Sequence, residues 1–187
     1  PCADVIWQGK AQGDALAREI GSAAVKHLAL LYREAPRQRV ERVAIRQEVL
    51  EIPDRPWEES TFCHDLCRGE DDRARVFARR RYDPEEAAVK ARGHTACPVE
   101  IQGISFGDTA ICTNPAELFV AFGIKIRKRS PFGVTLVSEL TNGYCGYVPT
   151  EPAFEEQGYE THRTVYTCRL AKDAGRRITE ASVAMLE

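Results

Sequence analysis

The chain has 187 residues, 43% of them hydrophobic, with 26 basic against 28 acidic side chains and a formal net charge of -2. That is enough apolar content for one sizeable core in one domain, and a charge so near balance offers no global field for nucleic acid or a membrane surface. No apolar run reaches the length of a membrane span, and the seven cysteines, an odd count without paired CxxC spacing, describe neither a disulfide-stapled miniprotein nor a zinc finger.

The start, PCADVIWQGK, lacks an initiator methionine and both the charged and the apolar parts of a signal peptide, so a longer protein is expected upstream of Pro1. From Asp14 to Ala35, Leu16, Ile20, Ala24, His27, Leu28 and Leu31 recur at helical spacing, with Asp14 as N-cap and Pro36 as the stop. This predicts an amphipathic helix lying on a core, with His27 as a satisfied core histidine. Arg42 to Pro53 alternates as a half-buried strand does.

Cys63, His64 and Cys67 follow in a polar segment. They could hold a metal, but they lack a fourth ligand at finger-like spacing, which favours a surface turn or a local disulfide. Arg73 to Arg92 interleaves arginines with Val76, Phe77 and Tyr82, yet Glu70, Asp71, Asp72, Asp83, Glu85 and Glu86 neutralise it, which favours a solvated helical face over a nucleic-acid surface. Asp83 as N-cap and Pro84 at the first helical position predict a further short helix.

Val99 to Phe106, the turn Gly107-Asp108 and Thr109 to Thr113 predict a β-hairpin. Asn114-Pro115-Ala116-Glu117 then reads as a helix start, with Asn114 as N-cap and Glu117 able to close a capping box; a ligand role for Glu117 stands beside that reading. The helix after it gathers Lys125, Arg127, Lys128 and Arg129 in its last turns, where cations complement the dipole. Val134 to Leu140 predicts a buried strand that empties into Asn142-Gly143-Tyr144-Cys145-Gly146-Tyr147. The tyrosines by themselves read as half-buried aromatics with hydroxyls satisfied by backbone, and the glycines admit turns that β-branched residues resist.

PAELFVAFGIKIRKRSPF followed by TNGYCGYVPTEPAFEEQGYE resembles the C-terminal part of the catalytic domain of the neutral/alkaline (non-lysosomal) ceramidase family, especially its shorter bacterial members. The likeness is dense from Val99 to Glu160, extends to Leu186 and is faint before Glu70. The ordered combination of P-x-E-x-F, N-x-Y-x-x-Y-x-x-T and a later Y-E carries it. The resemblance implies an α/β fold, a mixed β-sheet with helices packed on it, as part of a larger single catalytic domain of which residues 1–187 are the C-terminal portion and 99–160 the motif-bearing core. It implies Zn2+ held by two histidines, a glutamate that falls on Glu117 and a tyrosine that falls on Tyr147. Tyr159 takes a catalytic and substrate-holding role, and Tyr144 is assigned to substrate binding with it.

The implied reaction is hydrolysis of an amide bond, as of an N-acylsphingosine to fatty acid and sphingoid base. The implied partners are a lipid-like or other amide substrate and, through it, a membrane surface, in a secreted or periplasmic protein. His27, His64, His94 and His162 do not stand in the family's ligand motifs, which are expected upstream of Pro1, so this stretch alone should be inactive and bind zinc weakly. The family's asparagine- and glycine-rich segment before the Gly-Asp pair is missing, and Gly158 stands where lipid-cleaving members have arginine. A non-catalytic binding module on the same scaffold, and a metallohydrolase of a different small amide or ester, are the alternatives.

Overall fold

The computed structural model describes residues 13–36, 39–61, 72–93 and 95–187. The chain divides into two units, Cys2–Glu41 and Arg42–Glu187. Cys63, His64 and Cys67 lie outside the described residues.

In the smaller unit, α1 spans Asp14–Glu34. It ends where expected, because Ala35 turns extended before Pro36, whose ring disfavours a helical predecessor. Its surface departs from expectation: no α1 residue is buried, Leu28 and Leu31 are 64% and 63% exposed, and His27 bonds within its own helix, Nδ1 to Ala23 O at 2.9 Å. Helical spacing reports a stripe, but burial needs a second surface, which spacing does not supply.

The larger unit is a mixed sheet with helices packed on it. Its four-stranded sheet has the order β1 (Val43–Pro53), β2 (Ala96–Phe106), β3 (Thr109–Thr113) and β5 (Val134–Ser138). The first two pairings are antiparallel, and β3–β5 is parallel. A parallel neighbour needs a crossover, and α3 (Val120–Arg129) lies on it. The hairpin turn falls at Gly107-Asp108 as the sequence predicts, with Gly107 at φ 57.

Alternation along β2 turns Cys97, Val99 and Ile101 to one face, where Ile52, Ala110 and Cys112 join them. Phe122 and Ile126 of α3 and Ala174, Ile178, Met185 and Leu186 of α5 (Ala174–Leu186) complete that core. Ile126 and Ile178 are fully buried, each contributing roughly 1.5–3 kcal/mol. Arg129 of α3 is also tied to Glu180 of α5 by two bonds of 2.6 and 2.8 Å.

Two expectations change. The segment after β3 and α3 is an edge strand, not a buried one: Val134 and Leu136 are 52% and 54% exposed, while Thr135 between them is buried. The helices cover one face, so β2 buries alternate residues, while the edge strands β1 and β5 bury only Ile52 and Thr135 respectively. The basic segment forms one helix, α2 (Asp72–Arg92), with Pro84 inside it and no new start at Asp83. Arg73, Arg79, Arg80 and Arg81 are exposed, and Arg81 pairs with Glu85 and Lys90 with Glu86 at i,i+4 spacing.

Candidate active site

After β3 the chain does not enter a helix. Asn114, 2% exposed, turns its side chain onto the backbone, and Ala116 N donates to Asn114 Oδ1 at 3.0 Å, a side-chain turn in place of a cap. Ala116–Leu118 then form β4, which pairs in parallel with β6 (Gly146–Val148) as Ala116↔Gly146, Glu117↔Tyr147 and Leu118↔Val148. The ladder extends at both ends, Cys145 N to Pro115 O at 3.0 Å and Phe119 N to Val148 O at 3.2 Å. The helix starts at Val120, with Phe119 as N-cap. Glu117 is therefore a strand residue, and the capping-box reading falls.

Ala116, Leu118 and Val148 are buried in the core. The period of two therefore sends Glu117 and Tyr147, both half-buried, to the other face, side by side. Tyr144 Oη donates to Glu117 Oε1 at 2.9 Å. The Tyr159 ring meets that of Tyr147 edge-on, with centroids 6.0 Å apart and planes at 76°. The structure thus brings the four residues singled out in the sequence together, Tyr144 bonded to the Glu117 carboxylate, Tyr147 paired with Glu117 and Tyr159 packed on Tyr147. Burial first, and the charge of Glu117 second, push the Tyr147 phenol up to about 12. Tyr144 is raised in the same direction by desolvation first and then by its bond to Glu117.

Gly146 sets this geometry. It lies at φ 86, and a Cβ there would fall 2.7 Å from Tyr166 O and 2.9 Å from Cys168 N. Among the described residues, four other than glycine also take left-handed φ, namely Leu140, Asn142, Gln157 and Cys168, all in the stretch 140–168 that carries Tyr144, Tyr147 and Tyr159. Such conformations cost about 1–3 kcal/mol each and persist where the surroundings over-determine them. Part of that determination is Arg55, whose Nη2 donates to Thr161 O at 3.0 Å and Cys168 O at 3.3 Å and whose guanidinium lies 4.8 Å over the Phe154 ring.

Phe154, Thr161 and Cys168 bracket Tyr159, which stands on the short turn Tyr159–Thr161. Sequence reasoning missed Arg55 together with its neighbours Asp54, Arg163 and Arg169. Their one local signal is an Asp-Arg pair closing a strand, and the contacts that give it meaning join residues far apart in the chain.

Among the described residues, no three His, Cys, Asp or Glu side chains gather in a way that could hold a metal ion. Glu117 and Tyr147 offer two oxygen donors from paired positions. Oxygen donors of this kind suit zinc as part of a set, so the residues present fit part of a site. No helix among the described residues is long and apolar enough to cross a membrane.

No family model matches the chain, and no curated protein matches it. Among solved structures, the mixed α/β architecture is similar to part of a neutral ceramidase. The neutral ceramidase from Pseudomonas aeruginosa superposes with a TM-score of 0.61 at 16% identity over 97% of this chain and 34% of that one. A ceramidase complexed with C2 gives a TM-score of 0.41 at 20% identity over 49% of this chain and 14% of that one. The chain thus spans about a third of the length of the neutral ceramidase it resembles, and at this identity the likeness is one of fold.

Proposed function

We propose that this chain is the C-terminal portion of a zinc-dependent amidohydrolase of the neutral ceramidase kind, close to its shorter bacterial members, and that it supplies Glu117 and Tyr147 as metal ligands. The observation that carries the reading is the ladder register that pairs Glu117 with Tyr147, with Tyr144 bonded to the same carboxylate. When bound, zinc would activate water towards an amide carbonyl and polarise that carbonyl.

Glu117 brings the negative charge, and Tyr144, donating to Oε1, orients the carboxylate. Tyr147 beside an anion keeps its proton, and a cation at the site reverses that balance. Tyr159, 65% exposed and edge-on to Tyr147, is placed to meet substrate. The two histidine ligands belong upstream of Pro1. The substrate is a ceramide-like lipid or another small amide; a secreted or periplasmic location and contact with a membrane surface through the lipid follow from the same reading.

The test is Glu117→Gln in the full-length protein. Since Glu117 caps no helix, the isosteric amide should shift stability by less than about 1 kcal/mol, while zinc content and amide hydrolysis fall by orders of magnitude. Full zinc content with undiminished hydrolysis refutes the ligand role. A wild-type protein that holds no zinc and cleaves no member of an amide and ester panel refutes the enzyme and leaves a binding module.

A further inference from the structure

Apart from the tyrosine site, the larger unit buries a cluster with surplus positive charge. Asp54, with a side chain 1% exposed, is gripped by Arg169 through Nε to Oδ1 and Nη2 to Oδ2, each at 2.9 Å, and Thr95 Oγ1 donates to Oδ2 at 2.7 Å. Arg163 Nη2 stands 3.7 Å from the same Oδ2, and its side chain is 3% exposed. Arg55, also 3% exposed, uses Nη2 on the carbonyls of Thr161 and Cys168. Arg169 and Arg163 thus share one carboxylate, which Arg169 already occupies, and Arg55 adds its own positive charge beside Arg163.

Arg55 Nε, Arg163 Nε and Arg163 Nη1 are buried without a hydrogen-bond partner. The neighbouring charges do not balance the account. Glu59, which acts on Arg55, is exposed, and Arg92 adds further positive charge on Arg163. Cys168 stands beside both Arg55 and Arg163, but burial keeps its thiol protonated, pushed up to about 11, so it supplies no anion. Water could satisfy the free N–H groups and would leave the surplus charge in place. A small anion does both, since a charge-assisted bond compensates donor and charge together.

We propose that the free edge of Arg163, with Arg55 as its neighbour, binds a small inorganic anion of the halide class. The unpartnered nitrogens are enclosed, which selects a monatomic ion over sulfate or phosphate. This site is independent of the zinc reading: it involves none of Glu117, Tyr144, Tyr147 or Tyr159.

The test uses the full-length protein in gluconate at fixed ionic strength, with bromide replacing gluconate. The thermal midpoint should rise with the logarithm of the bromide concentration, by about 2–3 °C at a hundredfold excess over Kd in a chain of several hundred residues, and sulfate should not reproduce the rise. Arg163→Met should abolish the bromide response and leave the midpoint at or above that of the anion-free wild type, because one buried charge is gone. The same response in variant and wild type, or none in the wild type, overturns the proposal. Should Arg163→Met fail to fold, bromide-soaked crystals of the unaltered protein decide it. An anomalous peak in contact with an Arg163 nitrogen supports the site; a water or a carboxylate side chain in that place overturns it.

Discussion

Alanine at position 146 should be among the most damaging single-methyl additions in the chain. Gly146 lies at φ 86, and the added Cβ would meet Tyr166 O at 2.7 Å and both Cys168 N and Thr167 Cα at 2.9 Å. These are backbone atoms that cannot swing aside as a side chain can. The left-handed conformation costs alanine roughly 1–2 kcal/mol, and forcing a methyl into closed space costs about 1–3 kcal/mol more, together about 2–5 kcal/mol. At about 2–4 °C per kcal/mol for a protein of this size, the thermal midpoint should fall by about 4–20 °C. Gly143→Ala is the control from the same motif. Its Cβ would meet Pro115 Cβ at 3.5 Å, an ordinary contact, and its φ is not left-handed, so it should stay within about 0.5 kcal/mol of wild type. The two variants are compared by circular dichroism melts in one buffer, and equal midpoints would refute the reasoning.

Asp54→Asn keeps the shape of the buried cluster and removes its carboxylate charge, which should cost about 3–5 kcal/mol, read as a lower denaturant midpoint at unchanged slope. Tyr144→Phe removes a donor from a residue 51% exposed. Stability should change by less than about 1 kcal/mol, whereas on the proposed function zinc affinity or hydrolysis should fall about 10–100-fold; parallel losses in both readouts would mark Tyr144 as structural. Burial pushes the Cys112, Cys145 and Cys168 thiols up to about 11, 12 and 11, above the roughly 8.5 of an unfolded thiol. The stability they add is therefore complete below about pH 8.5 and lost as pH rises through the folded values. The denaturant midpoint should decline over that alkaline range, and these thiols should resist a thiol reagent at pH 8; a flat profile or rapid native-state labelling would contradict the burial argument.

Local signals carried the parts of this fold that are local. The hairpin of β2 and β3 was legible because alternation and a Gly-Asp turn lie within one short stretch, and β1 was legible as a strand from its β-branched residues but not in its buried face, since Val43, Ile45 and Val49 are 60%, 67% and 50% exposed and Ile52, on the opposite face, is buried. Helix α5 was not foreseen, although it supplies much of the core. Its buried face includes Gly175, Thr179 and Ser182 beside Ile178, Val183, Met185 and Leu186, so apolar counting finds half a stripe. Those small and polar residues are what close packing requires. A Cβ on Gly175 would fall 2.1 Å from the Phe122 ring, and the Thr179 hydroxyl satisfies itself on Gly175 O at 2.7 Å. The edge position of β5 was equally hidden, since which strand ends a sheet depends on every other strand.

The site shows the same division at finer grain. Asn-Pro-Ala-Glu is a valid helix start and a valid side-chain turn, and what decides between them is β6, a partner remote in sequence whose backbone claims Ala116 to Leu118. Once that ladder forms, the chemistry depends on register. Paired residues on neighbouring strands sit about 4.8 Å apart and project to the same face, so Glu117 and Tyr147 can serve one ligand, and a slip of one residue would send one of them into the core. Two features hold the register. The Asn114 turn fixes where β4 begins, and left-handed Gly146 fixes where β6 begins. The motif residues around the two oxygens are thus as much a device for aligning two short strands as the ligand set proposed above, and a variant that kept Glu117 and Tyr147 but shifted the ladder would lose their pairing with both residues still in the sequence.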